Sequence, residues 1–135
     1  MFRQLDEKTL VSPQIRPDQL DDVRRHGVTM VINNRPDNEE PGQPLSDDIA
    51  QAARAAGLDY RHIPISRGMG PSDVEAMRDA IHQASGGKLL AFCRTGTRST
   101  MAWAVARRED GADAAELHRC AEQAGYSLAP INHLL

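Results

Sequence analysis

The sequence KLLAFCRTGTRSTMAWAVA, which runs from Lys88 to Ala106, contains a strand, a tight turn and a helix in immediate succession. The apolar run from Leu89 to Phe92 predicts a buried strand. The strand ends at Cys93, and a small basic turn follows. Beyond the turn, apolar or small residues recur at helical spacing, at Met101, Ala102 and Val105. A strand joined to a helix by a short turn is typical of α/β folds.

The turn after Cys93 has the composition of an anion site. The N–H groups of a tight loop and of the first turn of a helix favour negative charge, and therefore the thiolate form of a cysteine. Arg98 adds a permanent positive charge and a planar fork that suits an oxyanion. Gly96 permits a backbone conformation that other residues resist. We therefore predict that Cys93 is a catalytic nucleophile and that Arg98 assists it.

The other side chains and N–H groups of this turn are predicted to bind the anion. The hydroxyl of Ser99 is expected either to cap the helix or to hold the sulfur. The predicted anion-binding residues of the turn are Arg94, Thr95, Gly96, Thr97 and Ser99.

A second unusual loop, NRPDNEEPGQP, covers residues 34–44. Its composition suits a solvated connection, but it follows the carboxyl end of a predicted strand, where ligand sites gather in open α/β sheets. We therefore predict that Arg35, Asp37 and Glu39 reach the Cys93 pocket. Asp37 is a candidate catalytic residue, either as a general acid or as the partner of the loop arginine. The sequence leaves both roles open.

The rest of the chain alternates strand and helix patterns. The segment 1–17 is expected to supply an edge strand, and further strands are predicted at 28–33 and 58–65. Helices are predicted at 17–26, 45–56, 73–84, 99–109 and 114–124, with Ser46 and Asp113 as N-caps. This order predicts an α/β fold with a mainly parallel central sheet flanked by helices. At 135 residues, the chain is expected to form a single catalytic domain over residues 1–135.

Composition excludes several classes of function. A net charge of −3 without a basic run argues against nucleic-acid binding. No apolar run approaches transmembrane length and no signal peptide is evident, so no membrane partner is expected. The two cysteines, Cys93 and Cys120, form no disulfide framework, and we predict a reducing cytoplasmic location. The five histidines are scattered, so neither a metal site nor a cofactor is expected.

The motif CRTGTRS, residues 93–99, resembles the active-site loop shared by protein tyrosine phosphatases and rhodanese-type sulfurtransferases. With VINNRPDNEEPGQP, LDYRHIPI and the later AGY, it resembles one bacterial family over Val11 to about Pro130. This family is the phosphatase-like domain of beta-lactamase-hydrolase-like proteins, also described as sulfur transferases. The resemblance implies a compact fold like that of dual-specificity phosphatases.

One position departs from the phosphatase pattern. In tyrosine-phosphatase-like proteins the general-acid Asp often follows a strand that resembles residues 58–65, but here Ser66-Arg67 stands at that place. The nearest carboxylate, Asp73, has the position of a first-turn helix residue. This departure argues against a conventional phosphatase mechanism, and we predict instead that Ser66 and Arg67 help to bind an anionic substrate.

Loop length separates two enzymatic hypotheses. Four residues lie between Cys93 and Arg98, whereas the phosphatase signature has five, and Phe92 stands where that signature usually has His. Rhodanese-like loops have the shorter length, which suits a single sulfur atom. The leading interpretation is therefore a sulfurtransferase in which Cys93, as a persulfide, carries sulfane sulfur from a small anionic or persulfide substrate to a thiol acceptor.

Two alternatives remain open. The first is a tyrosine- or dual-specificity-like phosphatase with a Cys93 phosphocysteine and with Arg98 on the phosphoryl oxygens. The second is a non-catalytic module that binds anions. Because family members are sometimes fused to a persulfide dioxygenase-like domain, a persulfide dioxygenase is a possible partner.

Overall fold

A computed structural model describes residues 1–66, 68–84 and 86–135 of the chain. Within these ranges, the strands form one sheet in the order β1-β2-β5-β3-β4. Neighbouring strands are parallel except for β1, which pairs antiparallel with β2 at the edge. The predicted α/β fold with a mainly parallel sheet is confirmed. The strands are β1 (Arg3–Gln4), β2 (Thr9–Ser12), β3 (Val28–Asn33), β4 (Asp59–His62) and β5 (Lys88–Phe92).

Helices cover both faces of this sheet. They are α1 (Leu20–Arg25), α2 (Ser46–Ala55), α3 (Pro71–Gln83), α4 (Thr97–Glu109) and α5 (Ala114–Gln123). Short 3-10 turns lie at Pro17–Gln19 and Ala129–Leu134. In the ranges that the structure describes, every helix is too short or too polar to cross a lipid bilayer.

Side chains that alternate along β5 divide the hydrophobic core into two layers. Leu89 and Ala91 belong to the cluster that includes residues of α3, α4 and α5, with Trp103 fully buried among them. Leu90 and Phe92 belong to the cluster that includes residues of α1 and α2. A strand buried on both faces is what its continuous apolar run predicts.

The helix caps match the sequence pattern at α5 and differ from it at α2. The side chain of Asp113 accepts a hydrogen bond from the backbone N–H of Glu116 at 3.1 Å, which confirms Asp113 as the N-cap. At α2 the N-cap position belongs to Leu45, and Ser46 is the first helical residue. The prediction for Ser46 is wrong because its hydroxyl hydrogen-bonds the Tyr60 hydroxyl at 2.7 Å.

The parallel strands place four loops at one edge of the sheet. Since β2, β5, β3 and β4 run in the same direction, their carboxyl ends lie together. Backbone hydrogen bonds join the loops there: Asn34 N–H donates to the Phe92 carbonyl at 2.8 Å, and Ile65 N–H donates to the Asn34 carbonyl at 3.0 Å. This edge therefore brings the Cys93 turn, the 34–44 loop and Ile65 together.

Candidate active site

The sulfur of Cys93 lies at the centre of this edge. Cys93 directly follows β5 and is 1% exposed. The backbone N–H of Gly96 donates a hydrogen bond to its Sγ at 3.1 Å. Gly96 is the N-cap residue of α4 and has a φ of +94°, a left-handed conformation that glycine adopts without strain. The turn therefore curves back on the sulfur, as the sequence predicts, and α4 begins beside it.

The turn is braced by hydroxyl groups and by Tyr126. Tyr126 Oη donates to the carbonyl of Thr95 at 3.0 Å, and Thr100 Oγ1 donates to the carbonyl of Gly96 at 2.8 Å. Thr95 Oγ1 also donates to Thr97 Oγ1 at 3.0 Å. Burial, with a smaller contribution from the charge of Cys93, raises the pKa of Tyr126. The hydrogen bond from Tyr126 thus stabilises the backbone of the Cys93 turn.

Arg98 is fixed at the same place by Glu39. Its Nη1 donates to Glu39 Oε2 at 2.7 Å and to the Ile65 carbonyl at 2.7 Å, and its Nη2 donates to Glu39 Oε1 at 2.8 Å. The hydrogen bond to Glu39 raises the pKa of Arg98, and the adjacent Cys93 raises it further. A guanidinium carries five N–H groups in a fixed plane. These contacts use three of them, and among the described residues Nε–H and one N–H of Nη2 have no partner.

Glu39 is itself held by a second arginine. Arg35 Nε donates to Glu39 Oε1 at 2.8 Å, and the Arg35 side chain is 1% exposed. The hydrogen bond from Arg98, with that from Arg35, lowers the pKa of Glu39 to about 2. Arg35 also donates to Gln14 Oε1 at 3.0 Å and forms an ion pair with Glu40 at 3.0 Å. Glu39 thus brings the 34–44 loop into contact with Arg98, while Arg35 contacts Glu39, Gln14 and Glu40, and a role for this loop in binding substrate stays a prediction.

Asp37 occupies a different position from the one expected. Its Oδ1 accepts a hydrogen bond from the backbone N–H of Ser46 at 2.8 Å, at the start of α2. A carboxylate there satisfies a free helix N–H group and interacts favourably with the helix dipole. The partner of Arg98 is therefore Glu39 and not Asp37, which corrects that alternative. A general-acid role for Asp37 stays a prediction.

Ser99 neither caps α4 nor holds the sulfur, which corrects both expectations. Its Oγ donates to Asn34 Oδ1 at 2.8 Å, and both residues are fully buried. The Asn34 amide in turn donates to the Ile63 carbonyl at 3.0 Å. Since a buried polar group needs a partner, this chain of hydrogen bonds joins α4 to the ends of β3 and β4. Ser99 therefore stabilises the packing around the site, because its hydroxyl hydrogen-bonds Asn34 instead of the sulfur.

The remaining predicted anion-binding residues differ in their placement. The Arg94 side chain is mostly exposed and lies 3.6 Å from Glu40, while its carbonyl accepts a hydrogen bond from Gln14 N–H at 3.3 Å. Thr97 is the first residue of α4, beside the turn. The prediction for Arg67 falls outside the described residues.

Sequence reasoning missed three supporting residues: Gln14, Asn34 and Tyr126. Gln14 contacts both the Cys93 turn and Arg35 from a segment with no motif. Asn34 directly follows the predicted strand 28–33, and a polar residue at the carboxyl end of a strand was a signal that could have identified it. Tyr126 belongs to the AGY motif of the resemblance, which indicated no role for it.

Comparisons with known proteins point to one family. The family described as "Beta-lactamase hydrolase-like protein, phosphatase-like domain" matches residues 1–111. A beta-lactamase hydrolase-like protein of Xylella fastidiosa (strain Temecula1) is 37% identical over 108 residues, which cover 79% of this chain and 25% of that protein. The chain thus spans about a quarter of the length of this curated relative.

Solved structures agree with the fold. A candidate phosphatase from Neisseria meningitidis Z2491 superposes with a TM-score of 0.84 and 35% identity, over 97% of this chain and 93% of that one. Tk-PTP in its active form superposes with a TM-score of 0.68 over 91% of this chain and 86% of that one. At 21% identity, the second likeness concerns the fold alone. The fold is that of tyrosine and dual-specificity phosphatases, as the resemblance implied.

Proposed function

Because the chain belongs to the family of phosphatase-like domains of beta-lactamase hydrolase-like proteins, we propose that it hydrolyses phosphate monoesters through a Cys93 phosphocysteine. The observation that carries this proposal is that Arg98 lies close to Cys93 and that Nε and one N–H of Nη2 have no partner among the described residues. Glu39 and Ile65 occupy the other N–H groups of the guanidinium, so Nε and Nη2 can bind two oxygens of a phosphoryl group. This conclusion reverses the order of the two enzymatic hypotheses.

The reaction proceeds in two displacement steps. The Cys93 thiolate attacks phosphorus, the bond from phosphorus to the ester oxygen breaks, and the leaving alcohol takes up a proton. Water then attacks the phosphocysteine, the sulfur–phosphorus bond breaks, and inorganic phosphate leaves with the thiolate restored. Arg98 and the N–H groups of the turn stabilise the negative charge of the phosphoryl oxygens in both steps. Asp37 remains the candidate acid for the leaving group.

Sulfur transfer is the second candidate, and the spacing of Cys93 and Arg98 favours it. With four intervening residues, the turn encloses a smaller cradle than the phosphatase signature does. The thiolate would attack the outer sulfur of thiosulfate, release sulfite and become a persulfide. A thiol acceptor would then take this sulfur and restore Cys93. A persulfide dioxygenase partner belongs to this candidate.

One experiment separates the candidates. Wild type, Cys93→Ser and Cys120→Ser are each tested for release of phosphate from an aryl phosphate, and for a gain of one sulfur in intact mass after incubation with thiosulfate or glutathione persulfide. Cys120 is the matched control because it is partly buried on α5 and contacts Glu116, with a pKa raised by burial.

We expect phosphate release that is lost in Cys93→Ser and retained in Cys120→Ser. Sulfur gain with no phosphate release would instead select the sulfurtransferase. If wild type shows neither reaction, the anion-binding module becomes the leading interpretation.

A further inference from the structure

An apolar groove opens beside Arg98. Its volume is about 410 Å³, and Arg98 forms part of its wall. Its apolar lining includes Ile65, Met69, Met101 of α4, and Ile131 and Leu134 of the C-terminal turn, and Ser66, Gly68, Pro130 and His133 complete it. Leu134 is 44% exposed, which is unusual for a large hydrophobic side chain in this chain. The groove therefore presents unpaired apolar surface next to the proposed catalytic centre.

The charge of the groove suits a molecule with one anionic end. Among its described lining residues, Arg98 is the charged one and His133 is titratable, while no carboxylate lines it. Glu39, which binds Nη1 and Nη2 of Arg98, is not part of the lining. Arg98 therefore belongs both to the Cys93 site and to the groove.

From this shared arginine we propose that the groove holds the apolar alcohol part of the substrate, whose phosphoryl group lies on Cys93 and Arg98. This inference rests on the proposed function and names its substrate class. Five of the ten described lining residues carry aliphatic or thioether side chains, and the methionine side chains among them adapt to flexible ligands. The substrate class is therefore a monoester of an aliphatic alcohol, in preference to a sugar phosphate.

The C-terminal residues that line the groove lie beyond the part of the chain that the family model matches. The family match ends at residue 111, whereas Ile131 and Leu134 follow it by twenty residues or more. The segment is fixed by Leu128, which is 1% exposed, and by Arg108, whose Nε donates to the Leu135 carbonyl at 2.9 Å. The Cys93 turn thus lies within the matched residues, while the C-terminal part of the groove lies outside them.

Binding of alkyl phosphonates tests the groove without requiring turnover. Methyl, butyl and hexyl phosphonate carry the same headgroup, and calorimetry gives the Kd of each for wild type. Because an open groove removes part of each CH₂ group from water, we expect roughly a twofold decrease in Kd per added CH₂ group.

Two exposed leucines provide the variant and its control. Leu134→Ser should raise the Kd of hexyl phosphonate about threefold and leave the Kd of methyl phosphonate unchanged. Leu45→Ser is the matched control, since Leu45 is 46% exposed and lies outside the groove, and it should leave both Kd values unchanged.

A Kd in wild type that does not depend on chain length would overturn the inference, as would equal losses in Leu134→Ser and Leu45→Ser. Failure of the proposed function is distinguishable. Chain-length-dependent binding without phosphate release from any ester would contradict the phosphatase and leave the groove in place.

Discussion

Glu39 and Arg98 are 59 positions apart in the sequence, yet two hydrogen bonds of 2.7 and 2.8 Å join the carboxylate to the guanidinium. The pair fixes the plane of Arg98, and the orientation of its Nε–H group follows from that plane. Buried Arg35 holds the other side of Glu39. The orientation of Arg98, the candidate catalytic arginine, therefore depends on a residue of the 34–44 loop.

The first prediction concerns this orientation. Glu39→Gln should lower kcat/KM about tenfold, because an amide accepts at one atom only and releases one N–H of Arg98. Steady-state kinetics with an aryl phosphate measures the effect, and Glu39→Asp should restore part of the activity. Glu40→Gln is the control, since Glu40 pairs with Arg35 and Arg94 but not with Arg98. Equal losses in Glu39→Gln and Glu40→Gln would contradict a specific role for Glu39.

The second prediction concerns stability in acid. The pKa of Glu39 is about 2 in the folded protein against an ordinary value of 4.5 for a glutamate side chain, so ionised Glu39 favours the folded state above pH 4.5. That contribution is lost as the pH falls from 4.5 towards 2. The Tm of wild type should therefore exceed that of Glu39→Gln by roughly 4 °C at pH 6, and the two should converge near pH 2. A constant difference across this range would show that the carboxylate charge is not responsible.

The third prediction concerns Gly96. A Cβ at this position would lie 2.2 Å from Tyr126 Oη, and φ is +94°. Gly96→Ala should therefore reduce stability by about 2 kcal/mol or more and abolish most activity. Gly111→Ala is a matched control, since Gly111 has a φ of +99° with no atom within 4 Å of the added carbon.

Gly111→Ala should lower the free energy of unfolding by about 1 kcal/mol, because it adds backbone strain only, and it should leave activity intact. Urea denaturation and kinetics compare the two variants. If both lose the same stability and activity, the contact with Tyr126 is unimportant.

The fourth prediction concerns Ser99. Ser99→Ala leaves buried Asn34 Oδ1 without its 2.8 Å hydrogen bond, which should cost roughly 1–3 kcal/mol of stability. Because Ser99 lies beneath the turn, we expect a smaller effect on kcat than that of Cys93→Ser. Ser72→Ala, an exposed site at the start of α3, should change stability by less than about 0.5 kcal/mol. A loss of all activity in Ser99→Ala with unchanged stability would place its hydroxyl in the chemistry instead.

Local sequence patterns determined most of the fold. The strands at Val28–Asn33 and Lys88–Phe92 and the helix α5 lie close to their predicted positions, since period, β-branched residues and caps act within a few residues. The Cys93 turn was predictable for the same reason, because Cys93, Gly96 and Arg98 act within a single strand-to-helix junction.

Only the tertiary structure decided which distant groups meet at the site. Asp37 and Glu39 stand two positions apart in a proline-rich loop, and no periodicity specifies which carboxylate turns towards Arg98. The backbone path of that loop sends Asp37 to the N-terminus of α2 and Glu39 to the arginine. Ser99 likewise found its partner in Asn34, 65 positions away. Such pairings depend on the parallel strands that bring their carboxyl ends together, and this information lies in the packed sheet and not in any short stretch of sequence.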